Sequence, residues 1–142
     1  MSIEDLVQRD VQTVPLHASC AEAAVRMRDA NVGCVVVVGD DQSPIGIVTD
    51  RDLVLRVLAD RGDPDGPVRD VMTGDPIFLS ESAPLSDVIG TMRELRFRRM
   101  IVVDDAKCLC GIITLDDLVM HLGDTFANLA GAMRNQLGVL KP

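Results

Sequence analysis

The chain has 142 residues, 47% of them hydrophobic and 25% charged, and a formal net charge of −8. This length suits one compact domain or two small halves with a shared core, because half of it alone would bury too little surface. The acidic surface repels nucleic acid backbones and anionic membranes, and an aromatic content of 2% disfavours base stacking. A small anionic ligand would therefore need a local cluster of basic residues.

The first half of the chain predicts the element order β, α, β, β, α. A β-prone piece at 11–16 is followed by Ser19 and, three residues later, Glu22, which is the signature of a capping box and predicts a helix start. The run "CVVVV" at 34–38 is too short for a helix and predicts a buried strand. The "GIVT" strand comes next, and an amphipathic helix is expected to begin at Thr49.

The second half predicts the same order. A strand is expected at 76–80, and a helix that starts at Ser86 or after Pro84. Buried strands follow at 100–103 and in "GIIT", and "LDDLVMHLG" continues as an amphipathic helix. A segment dense in Gly, Pro and Asp, at 61–75, separates the two halves.

The two halves are copies of one another. A shift of 65 residues aligns "GIVTDRDL" with "GIITLDDL" without a gap, and it also superposes most of the flanking apolar positions. This agreement indicates an internal duplication. The predicted units are repeat 1 at 8–61, a linker and the start of repeat 2 at 62–73, repeat 2 at 74–125, and a C-terminal helical tail at 126–142.

The element order and the two motifs resemble the cystathionine β-synthase (CBS) domain family, present as one tandem pair over roughly residues 8–125. The resemblance implies a stand-alone Bateman module. Its α/β (α+β) fold would consist of two βαββα repeats related by a pseudo-twofold axis, with the sheets packed together and the helices outside. Such modules are regulatory sensors of energy or metabolite state. They bind AMP, ADP, ATP or S-adenosylmethionine between the repeats, and they commonly form homodimers.

The resemblance also implies two clefts, each shared between the Thr and Asp of one repeat and two segments of the other repeat. The first cleft gathers three arginines, and guanidinium groups suit bidentate phosphate binding. We therefore expect the nucleotide there, and we expect Asp52→Ala to weaken binding more than Asp117→Ala. The predicted residues of this cleft are Thr49, Arg51, Asp52, Pro76, Ile77, Phe97, Arg98 and Arg99.

The second cleft is expected to be weaker. Asp116 replaces Arg51 there, and Gly33 and Cys34 replace Arg98 and Arg99, so a phosphate would meet an extra carboxylate without arginines. The cleft would be empty or would hold a less charged adenosyl ligand. Its predicted residues are Thr114, Asp117, Val11, Gln12, Gly33 and Cys34.

Simpler interpretations of the same residues remain open. A Thr at a strand end and an Asp three residues later can serve only to cap a helix, and the arginines can form surface ion pairs. The chain would then be a structural or dimerisation module with empty clefts. The sequence contains no nucleophile with an adjacent base and no convergent acid and base pair, so we predict no enzyme activity and no catalytic residue.

The remaining expectations concern cysteines, location and the tail. The four cysteines form no CxxC pair, which favours buried reduced thiols over a metal site. The start "MSIEDLVQRD" does not have the pattern of a signal peptide, and a cytoplasmic location is expected. The tail has apolar residues at near-helical spacing. It would fold back on its own module or pack on a second copy, and the sequence does not name any protein partner.

Overall fold

A computed structural model describes residues 2–139 of the chain. Each half folds in the predicted order β, α, β, β, α, with one additional short strand between the halves. Short 3-10 helices at Glu4–Leu6 and Val68–Asp70 precede the two halves, and a π-helical turn at Val54–Leu58 continues helix α2. The elements are β1 (Thr13–Pro15), α1 (Cys20–Ala30), β2 (Cys34–Val38), β3 (Pro44–Thr49), α2 (Asp50–Leu53), β4 (Thr73–Gly74), β5 (Phe78–Ser80), α3 (Leu85–Leu95), β6 (Arg99–Val103), β7 (Leu109–Thr114) and α4 (Leu115–Val139).

Local sequence explains where the helices begin. The predicted capping box at α1 is confirmed, because the Ser19 hydroxyl accepts a hydrogen bond from the Glu22 N–H and the Glu22 carboxylate accepts one from the Ser19 N–H. Helix α3 begins directly after Pro84, which was one of the two predicted starts. Pro84 is the N-cap residue and has an extended conformation, with φ of −65° and ψ of 143°.

The strands form two mixed sheets, one for each repeat. The order is β1-β2-β3-β4 in the first sheet and β5-β6-β7 in the second. In each sheet the first strand is parallel to the second, and the second is antiparallel to the third. The central strands are buried on both faces, which explains their runs of β-branched residues without alternation.

The two sheets pack against each other through matching positions of the repeats. The interface cluster contains Val36 and Val38 from β2 and the equivalent Ile101 and Val103 from β6, together with Ile112. Three further clusters lie outside this interface, and the two larger ones bury residues such as Ala23 and Val88 from the helices. A single apolar interior thus joins both halves, as the length of the chain requires.

The repeats exchange the segments that precede them. Ile3, at the N-terminus, is completely buried in the core of repeat 2, and its N–H donates to the Ala83 carbonyl. Val68, which lies in the predicted linker, is completely buried in the core of repeat 1, and its N–H donates to the Ala18 carbonyl. Strand β4 continues this exchange by pairing with β3 of repeat 1. Each repeat is therefore completed by residues that come before the other one in the sequence.

The last helix is longer than its counterpart in repeat 1. Helix α4 runs without interruption from Leu115 to Val139, so the predicted tail continues the last helix of repeat 2. Residues 140–142 of that tail lie outside the described residues. Several apolar side chains of α4 are exposed, among them Phe126 and Met133. Within residues 2–139, no helix combines the length and apolar character needed to cross a membrane.

Candidate functional site

The doubled Thr and Asp residues occupy equivalent helix starts. The Thr49 hydroxyl accepts from the Asp52 N–H at 3.1 Å, and the Asp52 carboxylate accepts from the Thr49 N–H at 2.9 Å. Thr114 and Asp117 repeat this arrangement, with 3.1 Å and 3.2 Å for the same two bonds. The capping interpretation of both motifs is thereby confirmed. The helix starts also bring N–H groups and carboxylates to the ends of the strands, where a ligand between the repeats would lie.

A cavity of about 240 Å³ opens beside Thr114. Five of the six residues predicted for the second cleft line it, and they come from both repeats. Asp117, the sixth, lies next to it, because its Oδ1 atom accepts a hydrogen bond of 2.8 Å from Nε2 of the lining residue Gln8. The lining residues are Gln8, Asp10, Val11, Gln12, Asn31, Val32, Gly33, Cys34, Arg99, Ile112 and Thr114.

Arg99 belongs to this cavity. Arg99 is the first residue of β6 and pairs in register with Thr114 of β7. Its guanidinium group lies close to Gly33. A Cβ atom placed on this glycine would be 3.5 Å from Nη2 of Arg99. The second cleft therefore contains a cation, contrary to the expectation that it lacks arginines. A half-buried guanidinium is a suitable partner for an anionic group, and the Asp50 carboxylate also lies 3.5 Å from that Cβ position.

The Cys34 thiol is the neighbour of Arg99 on the cavity wall. Burial raises the pKa of this thiol, the nearby Arg99 guanidinium opposes the effect, and Asp50 adds to it. The thiol is accordingly protonated at neutral pH and behaves as a small apolar wall residue.

The other two arginines of the predicted first cleft lie elsewhere. Arg98 donates from Nη2 to Oδ1 of Asp116 at 2.9 Å, and both side chains are exposed. Arg51 is exposed on the first turn of α2. Arg98 is thus held in a surface ion pair, whereas Arg99 reaches Gly33, which precedes the strand residue Cys34 that pairs with Thr49. The structure also pairs Asp116, the carboxylate expected to oppose a phosphate, with an arginine of its own repeat.

The remaining residues of the first cleft divide between the two repeats. Asp52 lies 3.9 Å from Nη2 of Arg56, one helical turn later. Ile77 and Phe97 are half-buried against the core of repeat 2, and the Ile77 carbonyl accepts from the Ile101 N–H. Pro76 is half-buried beside them in sequence. Ile77 and Phe97 thus have the contacts of residues that pack at the edge of a sheet.

Sequence reasoning missed several cavity residues. Gln8 and Asp10 belong to the segment that crosses into repeat 2, and no local pattern reveals this crossing. Asn31 ends α1 in the left-handed conformation, with φ of 53°. An Asn followed by "VG" after a helix is the signal that could have marked this turn.

Within residues 2–139, no group of three or more His, Cys, Asp or Glu side chains has the geometry to hold a metal ion. All four cysteines are free thiols, but only Cys20 is buried and Cys108 is exposed, so the expectation of buried thiols is wrong for Cys108. His17 lies 3.8 Å from Asp40 at the surface.

The comparison with family models identifies the fold family. The model of the CBS domain matches the chain twice, at residues 3–59 and 68–124. The chain belongs to the CBS domain family. The two matches confirm the tandem pair that the sequence predicted.

Individual proteins agree with this assignment. The chain is 42% identical to the YlbB protein of Bacillus subtilis over 117 residues, which are 82% of this chain and 78% of that protein. A solved CBS domain protein of Pyrobaculum aerophilum, PAE2072 complexed with AMP, is similar with a TM-score of 0.76 and 28% identity, over 83% of this chain and 90% of that one. The structure of CBSX2 in complex with AMP is similar with a TM-score of 0.73 and 26% identity, over 87% of this chain and 97% of that one.

Proposed function

We propose that this CBS pair is a regulatory module that binds an adenine nucleotide, with AMP as the first candidate, in the cavity beside Thr114. The observation that carries the proposal is the position of Arg99, which lines a cavity between the repeats together with Thr114, the last residue before α4. Two CBS proteins of similar structure are complexed with AMP, which supports an adenosyl ligand. The proposal includes a non-catalytic role and a cytoplasmic location.

Arg99 in the cavity wall and Asp117 beside the cavity each have a specific role in this proposal. Arg99 binds the phosphate in a bidentate manner, and Asp117 accepts a hydrogen bond from a ribose hydroxyl. The volume of about 240 Å³ lies just below the usual range for small-molecule sites, about 300–1,000 Å³, which is the scale of one small ligand.

This proposal reverses the expected ranking of the two clefts. The ranking from sequence depended on three arginines near Thr49, whereas Arg98 is paired with Asp116 and Arg99 lines the other cleft. The Thr49 cleft keeps Arg51 and Asp52 as its polar groups. We propose it as the weaker site, or as a site for a ligand with less negative charge such as S-adenosylmethionine.

Ligand binding would be coupled to the N-terminal segment. Asp117 already accepts from Gln8, and Gln8 pairs with Ile112 where the segment crosses into repeat 2. A ribose hydroxyl that donates to Asp117 in place of Gln8 would free the Gln8 amide from this hydrogen bond. The free energy of binding could then shift the position of this segment and signal occupancy to a second copy in a homodimer or to another protein.

A module that binds no ligand is the second candidate. The Gln8 amide donates to Asp117, so this carboxylate already has a hydrogen-bond partner within the chain. A structural or dimerisation role would then account for the fold.

Calorimetric titration with AMP, ADP, ATP and S-adenosylmethionine separates the two candidates. We expect AMP to bind, and we expect Asp117→Ala to weaken its binding by at least about tenfold, the effect of losing one charge-assisted hydrogen bond. Asp52→Ala is the matched control, because it removes an equivalent helix cap from the other repeat. The absence of binding by all four compounds would establish the ligand-free module. A larger loss with Asp52→Ala would restore the original ranking of the clefts.

A further inference from the structure

A carboxylate of repeat 1 lies close to the arginine of the cavity beside Thr114. A Cβ atom placed on Gly33 would be 3.5 Å from Nη2 of Arg99 and also 3.5 Å from Oδ2 of Asp50. The two charged atoms are therefore separated by at most twice that distance, and the guanidinium and the carboxylate influence each other electrostatically. Gly33 itself lines the cavity, so both charges lie at its wall.

The position of Asp50 is fixed by hydrogen bonds of its own repeat. Asp50 is the first residue of α2, and its N–H donates to the Gly33 carbonyl at 3.0 Å. Its Oδ1 atom accepts from the Arg51 N–H at 2.8 Å, while Oδ2 is the oxygen near Gly33. The fold therefore holds this carboxylate beside the cavity independently of Arg99.

The Cys34 thiol is influenced by both charges. Burial makes the largest contribution and raises the pKa of this thiol, the Arg99 guanidinium lowers it, and Asp50 raises it further. Cys34 lines the cavity, so the two charges act on the same part of the cavity wall. A phosphate group bound at Arg99 would accordingly lie in the field of Asp50 as well.

The charged pair has no equivalent on the other side of the duplication. A shift of 65 residues places Cys34 at the position of Arg99, and Leu115 at the position of Asp50. Helix α4 begins at Leu115 with the same cap of Thr114 and Asp117, so an acidic residue at this position is not required to start the helix. Capping thus accounts for Asp52 and leaves the charge of Asp50 without a structural reason.

We propose that Asp50 is a selectivity residue of the cavity beside Thr114, which lowers its affinity for phosphorylated adenosyl ligands relative to uncharged ones. The carboxylate offsets part of the Arg99 charge and repels a phosphate, whereas neither effect acts on neutral adenosine. Two further acidic residues act in the same direction, since Asp10 lines the cavity and Asp117 lies beside it. The inference rests on the proposed function, because it concerns the ligand of the same cavity.

Calorimetric titration of the full chain with adenosine, AMP and ATP, at low ionic strength and without magnesium, measures this selectivity. Asp50→Asn retains a side-chain oxygen for the Arg51 N–H and removes the charge. It should strengthen AMP binding by about three- to tenfold, a modest effect because Asp50 is exposed to solvent, and ATP binding at least as much. Adenosine binding should change by less than about twofold. Both gains should shrink in about 0.5 M salt, because salt screens exposed charges.

Asp60→Asn is the matched control. It removes the same charge from an exposed residue of the same repeat, beyond the helical segment that begins at Asp50. It should change all three affinities by less than about twofold. Equal gains in the two variants would assign the effect to net charge and overturn the role of Asp50. An unaltered ratio of AMP to adenosine affinity in Asp50→Asn would also overturn it, while AMP binding by the wild type would leave the proposed function standing. No binding of any of the three compounds by either protein would overturn both.

Alkylation of Cys34 tests the arrangement of the charges without a nucleotide. The alkylation rate of this residue as a function of pH, followed in the full chain by peptide mass spectrometry, reports its pKa. Asp50→Asn should lower the pKa of Cys34, and Arg99→Gln should raise it, because the two charges act on the thiolate in opposite directions. An unchanged pKa in both variants would show that the two charges do not meet at the cavity wall, and the selectivity role of Asp50 would be wrong.

Discussion

At the scale of single residues, two adjacent arginines have different surroundings. Arg98 is exposed and bound to Asp116, whereas Arg99 is half-buried and lines the cavity beside Thr114. The strand register explains the difference, because Arg99 is the first residue of β6 and faces Thr114 across the ladder. The family pattern identified these arginines as candidates, but the direction of a long side chain depends on neighbours such as Asp116 that a motif does not specify.

This difference predicts unequal effects of one substitution at the two positions. Arg99→Gln should weaken AMP binding by at least about tenfold and affect adenosine much less, because the guanidinium contacts the phosphate. Arg98→Gln should change both affinities less than about threefold, since its exposed ion pair is worth at most about 1 kcal/mol. Titration of both variants with AMP and adenosine provides the measurement. Equal losses in the two variants would show that the phosphate does not lie at Arg99.

At the scale of elements, local sequence predicted most of the structure. Caps, β-branched runs and turn residues located the strands and helices of both repeats, since these signals act within a few residues. The strand β4 and the close contacts of the crossing segments, which precede each repeat and pack on the other one, were not predictable. They depend on which distant part of the backbone approaches the sheet, and tertiary packing determines this.

Two glycines mark where the crossing segments touch the sheets. A Cβ atom on Gly111 would meet the Gln8 carbonyl oxygen and the Val7 side chain, and one on Gly46, the equivalent residue, would lie 2.5 Å from Sδ of Met72. The segments can approach only because these positions lack side chains.

Substitution of Gly111 should therefore be costly. Gly111→Ala should lower the free energy of unfolding by about 1–3 kcal/mol, because a backbone oxygen must move to make room. Gly90 lies within α3 with no atom within 4 Å of its Cβ position, and Gly90→Ala should raise the free energy of unfolding by about 0.5–1 kcal/mol. Urea denaturation of both variants gives the comparison. A neutral Gly111→Ala would contradict the tight approach of the N-terminal segment.

At the scale of the whole molecule, the exchange of segments joins the repeats more closely than their shared interface alone. Ile3 and Val68 are equivalent residues of the two sequence units. Ile3 precedes repeat 1 but is completely buried in the core of repeat 2, and Val68 precedes repeat 2 but is completely buried in the core of repeat 1. The duplication was readable from the sequence. The exchange of the leading segments was not readable, because the exchanged and the unexchanged arrangement would bury the same apolar residues.

The N-terminal residue Ile3 should accordingly stabilise the distant repeat. Ile3→Ala should lower the free energy of unfolding by about 2–5 kcal/mol, the range for truncation of a fully buried aliphatic side chain. Leu58→Ala is the control, because that side chain is 70% exposed and its truncation should cost less than about 0.5 kcal/mol. Thermal or chemical unfolding of the two variants tests this. Similar small losses would place Ile3 outside the cooperative core.

The exchange of leading segments also has a consequence for fragments made by cutting the gene between the two repeats. A cut between the βαββα units leaves the upstream fragment without the piece around Val68 that fills its interior, and leaves the downstream fragment without the piece around Ile3. Neither product would be a complete folding unit by itself. A chain with a single repeat would lack the same core segment, and two such chains could complete each other's cores by exchanging their leading residues. In the tandem pair, both leading segments belong to one polypeptide, so each repeat has its missing piece within the same chain.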